Sequence, residues 1–296
     1  MLFSTAMAEQ RGGRLILVGT PIGNMEDLSV RAARTLAEAD AIFCEDTRVT
    51  GKLASRFGWK APRISCPEPK EKARVPQLLR RLEAGETVAF VSDAGMPLLS
   101  DPGRELVIAA ASAGYAIEVV PGPSAVSAAL ALSGLPAVPH FFAGFLPARA
   151  GERRRYLTEL AARTETLVWF EAPHRLLESL EDAAAALGSR AACVARELTK
   201  IHEEALRGTL AEIAARLRSR ERGGRGEVTV VVQGASVDAA RPTSADLDRE
   251  IRAALASGRS KRSIARDIAG RSGVSAREIY ARAVALDRGQ PRDAQR

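Results

Sequence analysis

No stretch of the chain is apolar for long enough to cross a bilayer. Leu106–Ile117 and Ala125–Leu135 fall short of the roughly 20 residues that a span requires, and Gly and Ser interrupt both. Met1 to Gly13 carries no basic segment ahead of an apolar core, so no secretory leader is expected and the cytoplasm is the default location. Cysteine is scarce as well. Cys44, Cys66 and Cys193 are odd in number and widely spaced, with no C-x-x-C or Cys/His spacing, so they read as reduced core residues and no metal site is expected. Two nucleotide signatures are also missing. There is no G-x-G-x-x-G, and Gly19 to Asn24 lacks the Gly-Lys-Ser/Thr ending that places a lysine on phosphates, which argues against a nicotinamide oxidoreductase and a P-loop enzyme.

What the sequence does hold is a core-forming composition and an uneven charge. At 296 residues and 46% hydrophobic content the chain can bury a sizeable core across about two domains and a smaller piece. Its net charge is +7, of which residues 241–296 hold +6, with 13 Arg or Lys against seven acids. Arginine outnumbers lysine 37 to 6, as GC-rich codon usage also produces, but codon bias does not explain the segregation. A near-neutral body with a basic tail points to a polyanionic partner, because Arg and Lys displace counterions from phosphates.

Residues 14–135 alternate short apolar strands with helical patterns, which predicts an α/β domain with a mainly parallel sheet. After the Pro-rich Leu135-Pro-Ala-Val-Pro139, residues 136–233 read as a second α+β domain, with Thr209-Leu-Ala-Glu212 forming a capping box. Residues 241–290 read as a small basic helical domain of helix-turn-helix type, with Ile264, Ile268, Ile279 and Ala283 on its buried face. Lys261, Arg262, Arg266, Arg271 and Arg277 would then be exposed together as candidate nucleic-acid contacts. Residues 1–13 read as a flexible extension.

Three strand ends carry Gly/Pro loops: Leu15–Val18 into Gly19-Thr-Pro-Ile-Gly-Asn24, Thr87–Val91 into Ser92-Asp-Ala-Gly-Met-Pro-Leu-Leu-Ser-Asp-Pro-Gly103, and Ala116–Val120 into Pro121-Gly-Pro-Ser124. Open α/β sheets bind ligands at the carboxyl ends of their strands, so the three loops imply one shared crevice. Asp101-Pro102-Gly103 reads as N-cap, N1 proline and entry to a helix over 102–113, and Ser124 as the cap of the next helix. On that reading the two aspartates differ in role: Asp93, with Ala94 and Gly95, lines the crevice, and Asp101 holds the loop's shape.

Taken with Glu45-Asp-Thr-Arg48, Phe170-Glu-Ala-Pro-His-Arg175 and Ala195-Arg-Glu-Leu-Thr-Lys200, these loops closely resemble the ribosomal RNA ribose methyltransferases of the tetrapyrrole (corrin/porphyrin) methylase superfamily, from about residue 14 to the C-terminus. The resemblance implies two α/β domains with a cofactor cleft between them, a homodimer, S-adenosylmethionine as methyl donor and a decoding-centre cytidine of 16S rRNA as acceptor. It places Pro21, Asp93, Ala94, Gly95, Ser124, Ala125, Phe170, Glu171 and Leu198 around the donor. It also makes Asp46, Glu197 and Lys200 the candidates for moving the acceptor's proton, and Arg48 and Arg175 candidates for RNA phosphates. His174, after Pro173, reads more readily as part of a helix first turn than as a catalytic group. One departure stands out: where the family carries a His/Asn-containing motif after the third strand, this chain has Ser65-Cys-Pro-Glu-Pro-Lys-Glu71, which keeps an acidic end and lacks the imidazole. Two alternatives stay open, a small-molecule tetrapyrrole methylase and a non-catalytic RNA-binding ribosome-assembly protein.

Overall fold

The computed structural model describes residues 11–219, 226–236, 244–272 and 274–288. Strands β1 (Arg11–Val18), β2 (Ala41–Cys44), β3 (Arg63–Ser65), β4 (Thr87–Val91) and β5 (Tyr115–Val120) form a parallel sheet in the order β3-β2-β4-β1-β5. Such a sheet needs cover on both faces, and the strand sequences supply apolar side chains to each. On β1, Ile16 and Val18 point into a cluster with Leu36 and Leu53 from helices α1 (Val30–Glu38) and α2 (Thr47–Phe57). Leu15 and Leu17 point the other way, toward Leu78, Leu82 and Leu106 of helices α3 (Glu71–Glu83) and α4 (Arg104–Ser112).

Two local expectations fail here. Strand β1 begins at Arg11, which pairs with Tyr115, so residues 11–13 belong to the sheet and not to an extension; residues 1–10 lie outside the described residues. Helix α4 begins at Arg104, with Gly103 at the N-cap position, so Asp101 does not cap it. The cap comes from a distance. The buried Glu71 carboxylate accepts from the Gly103 N–H at 2.6 Å and the Glu105 N–H at 2.9 Å. These are two of the orphan donors that every helix start leaves, and a negative charge suits the positive end of the helix dipole.

The second sheet runs β6-β7-β10-β8-β9, from β6 (His140–Phe145), β7 (Thr166–Glu171), β8 (Ala191–Arg196), β9 (Glu204–Thr209) and β10 (Val228–Val232). Only β6 and β7 pair in parallel; the other pairs are antiparallel. One face packs on α6 (Ala150–Leu160), α7 (Leu176–Leu187) and α8 (Leu210–Arg218), the last opened by the Thr209/Glu212 capping box. The other face receives α5 (Ala125–Ser133), the helix that follows β5, through Val126, Ala129 and Leu130 against Val168, Cys193 and Val231. Helix α5 therefore crosses from one sheet to the other and sets the two strand-end rims face to face. Ser124 stands at its N-cap position, but its side chain makes no capping hydrogen bond.

Cys44, Cys66 and Cys193 are free and buried, and burial pushes the Cys66 thiol up to about 11. Helices α9 (Ser244–Ala256), α10 (Lys261–Ser272) and α11 (Ala276–Arg288) close around Leu247, Ile251, Ile264, Ile268, Ile279 and Ala283. Among the described residues no helix is long and apolar enough to cross a membrane.

Candidate active site

The three loops at the carboxyl end of the first sheet are joined by backbone. Thr20 N–H donates to the Gly95 carbonyl at 2.9 Å and Gly95 N–H returns a bond to Thr20 at 3.1 Å, while Gly19 N–H reaches the Val120 carbonyl at 3.0 Å. Gly19 and Gly122 pack backbone against backbone: a Cβ on Gly19 would lie 2.7 Å from Gly122, and one on Gly122 would lie 2.8 Å from Gly19. Such an approach is open only to glycine. Met96 rests its sulfur on this junction and accepts from the Gly122 N–H at 3.3 Å.

Above this floor, between the two sheets, lies a cavity of about 270 Å³. Ala94, Gly95, Ser124 and Ala125 line it from the first sheet's loops and the start of α5, and Phe170 and Glu171 line it from the end of β7. Phe170 is packed edge-on by Phe142, with ring centres 4.9 Å apart, and Phe145 adds to the same wall. The ionisable side chains that line the cavity, among the described residues, are all carboxylates: Asp101, Glu171 and Glu227.

Each carboxylate has a different setting. The Glu171 side chain is fully buried; its Oε1 takes Arg175 at 2.7 Å and the Ala172 N–H at 2.8 Å, and its Oε2 has no partner among the described residues. Arg175, expected on RNA phosphate, is thus occupied in orienting Glu171. Glu227 is held by Lys200 at 3.3 Å, and Lys200 also binds Glu197 at 2.8 Å. The Lys200 contact, with some opposition from burial, holds the Glu197 carboxyl below its ordinary value. Burial works against the Lys200 charge, but Glu197 and Glu227 outweigh it and raise the ammonium's pKa. Asp101, expected as a cap, instead faces the cavity, and its carboxyl is pushed up to about 6 by burial and then by Glu45, Asp93 and Glu227, against a hydrogen bond from Ser92.

The other expected site residues sit around this cavity without lining it. Asp46 caps α2 by accepting from the Arg48 N–H and forms a two-pronged pair with the Arg48 guanidinium, which lowers its carboxyl to about 2. Asp93 accepts from the Asp46 N–H at 3.0 Å, linking the β2 and β4 loops, and burial raises its pKa. Pro21 is buried beneath the loops, and Leu198 joins Ile22 and Val126 in the apolar contact between the two halves. His174 is exposed in the short turn Pro173–Arg175. In the tail, Lys261 pairs with Asp287 at 2.6 Å, Arg262, Arg266 and Arg277 are exposed, and the Arg271 side chain lies outside the described residues. Sequence reasoning missed Asp101 and Glu227 as lining groups. Asp101 was hidden by a local pattern that imitates a cap, and Glu227 arrives from the opposite sheet.

Comparison with known proteins agrees with this architecture. Residues 14–214 match the family model described as Tetrapyrrole (Corrin/Porphyrin) Methylases. A relative called Ribosomal RNA small subunit methyltransferase I from Thermotoga maritima is 45% identical over 75% of this chain and 99% of its own length. Relatives of the same name from Mycobacterium tuberculosis and Synechocystis sp. are 43% and 40% identical over 90% and 93% of this chain, and over 93% and 99% of their own lengths. The fold is similar to that of uroporphyrin-III-C-methyltransferase from Thermus thermophilus, with a TM-score of 0.52 at 22% identity over 74% of this chain and 94% of that one. It is also similar to that of diphthine synthase, with a TM-score of 0.56 at 14% identity over 75% and 90%. With the family model covering residues 14–214, more than half of the chain, and relatives this similar over most of their length, the chain belongs to the tetrapyrrole (corrin/porphyrin) methylase family.

Proposed function

We propose that the protein transfers the methyl group of S-adenosylmethionine to the ribose 2′-hydroxyl of a decoding-centre cytidine in 16S ribosomal RNA. The observation that carries the donor is the cavity's charge: its ionisable lining is carboxylate throughout, and one carboxylate oxygen, Glu171 Oε2, is buried with no partner among the described residues. A dry carboxylate asks for a cation or a hydrogen-bond donor, and S-adenosylmethionine brings a sulfonium, an ammonium and ribose hydroxyls. The acceptor rests on the names of the relatives, which specify small-subunit ribosomal RNA.

When bound, the donor supplies an activated methyl carbon and its own leaving group, so no metal or protein nucleophile is needed. The chain's task is alignment and exclusion of water, effects worth roughly 7–11 kcal/mol at best for orientation. Backbone at Ala94 and Gly95 and the α5 start at Ser124 and Ala125 form the floor, the Phe145/Phe170 wall closes over the apolar part, and Glu171, aimed by Arg175, takes polar groups. Glu197 and Lys200 hold Glu227 at the far wall. We assign the exposed tail arginines, with Arg48, to RNA phosphates, and we include in the same reading a homodimer, supported by exposed Val119 and Val138, and a cytoplasmic location.

Labelled donor, offered with 30S subunits from a strain lacking this modification, is expected to mark a ribose oxygen of the small-subunit RNA. Label on a base, or none, overturns the reading. Deleting residues 241–296 is expected to leave donor affinity unchanged and to raise KM for RNA by roughly tenfold or more at physiological salt, with a shallower salt dependence. A small-molecule methylase would instead keep full activity on its substrate without the tail.

A further inference from the structure

Resting on that reading, we infer that Asp101 is the group that accepts the proton of the acceptor hydroxyl. Among the described residues three carboxylates reach the cavity, and two of them are committed elsewhere. Glu171 is neutralised by Arg175, and Glu227 by Lys200. Asp101 has the Ser92 hydroxyl as its side-chain partner, and the charges that bear on it most are negative: Glu45 at the end of β2, Asp93 on its own loop and Glu227 from the opposite sheet. Asp101 thus lines the cavity with no lysine or arginine paired to it among the described residues.

The backbone around Asp101 is built to hold it there. Leu98 and Ser100 have φ of 72° and 68°, and Gly103 has φ of 123°. Non-glycine residues hold such angles only where their surroundings enforce them, and such places cluster at functional sites. The far end of this turn is fixed by Glu71 through the Gly103 and Glu105 amides. In the transfer, the hydroxyl oxygen bonds the methyl carbon, the carbon–sulfur electron pair stays on sulfur, and the hydroxyl proton moves to an Asp101 carboxylate oxygen and then to water. The sulfonium charge lost equals the proton charge released. A carboxyl titrating near 6 is ionised at neutral pH and is a stronger base than an ordinary aspartate.

The experiment compares Asp101→Asn with the wild type on three readouts: donor affinity by calorimetry, kcat for RNA against pH, and thermal stability against pH. The expected result is donor affinity within about threefold, kcat lower by on the order of 10²–10³, and loss of the acid limb expected for the wild type near pH 6. Stability supplies a readout independent of activity. The folded carboxyl keeps its proton up to about 6 and the unfolded one only to about 3.8, so this group's contribution to wild-type stability falls as pH rises through that window, and Asp101→Asn should flatten that fall. A variant that keeps kcat within tenfold overturns the inference, as does one that loses donor affinity along with kcat, which would make Asp101 a donor-binding group. If the variant does not fold, the wild-type profile decides: a kcat that is flat between pH 5 and 8 overturns it. A wild type inactive on RNA removes the proposed function itself, and the inference with it.

Discussion

Gly95→Val is expected to abolish binding of S-adenosylmethionine, raising Kd by at least about 100-fold, while the protein stays folded. Gly95 has φ of +80°, a conformation that costs an L-residue roughly 1–2 kcal/mol and a β-branched one more. Its added Cβ would lie 3.2 Å from Ile22 Cγ2 and 3.4 Å from the Pro123 carbonyl oxygen, and the valine methyls extend further into the space under the cavity. Relief requires the 92–103 loop to move away from Thr20, breaking the reciprocal amide bonds that join the β1 and β4 loops. The sheet cores lie on the other side of these loops, so secondary structure and cooperative unfolding should persist. Calorimetry with the donor, alongside circular dichroism, makes the measurement; unchanged affinity would mean that this cavity is not the donor site.

Glu71→Ala is expected to cost about 2–3 kcal/mol of stability and to lower activity with it. Glu71 is 4% exposed, and its two oxygens serve two amides at the start of α4. Alanine leaves both donors without an acceptor, and each orphaned buried group costs roughly 1–3 kcal/mol. Part of that is returned because no charge need then be buried. The effect should reach the cavity, since Gly103 ends the turn that carries Asp101. Glu71→Gln keeps one good acceptor and the same volume, so it should recover about half the loss. Urea unfolding gives the numbers; a change below about 0.5 kcal/mol for Glu71→Ala would show that water or a rearranged loop replaces the carboxylate.

These two residues also mark where sequence is readable and where it is not. Strands β1, β4 and β10 were legible because an interior strand covered on both faces must be almost wholly apolar, as Leu15–Val18 and Val88–Val91 are and as Val228–Val232 is apart from Thr229. The tail's three-helix core followed from helical spacing of Ile264, Ile268, Ile279 and Ala283. The shared crevice followed from loops at neighbouring strand ends, a consequence of parallel topology. Helix caps were a different matter. Asp101-Pro-Gly has every local mark of a helix start, yet the acceptor for α4 comes from Glu71, more than thirty residues earlier, and no local pattern reports a contact of that range. Freed from capping, Asp101 turns to the cavity. Asp46, Glu197 and Lys200 lie near the cavity by chain position, but their neighbours Arg48 and Glu227 decide their state, and those pairings exist only in three dimensions or in side-chain choice.

The carboxylate lining of the cavity bears on turnover as well as on capture. On the proposed reaction the donor enters with a sulfonium and leaves as a neutral thioether, so the spent molecule carries one positive charge fewer past the same Asp101, Glu171 and Glu227. Arg175 and Lys200 offset two of these charges, so the net attraction is of the order of a screened ion pair, about 0–1 kcal/mol, enough to separate fresh from spent donor by a few fold. The acidic wall thus tilts exchange in one direction: it favours the loaded form and lets go of the exhausted one, with no moving part.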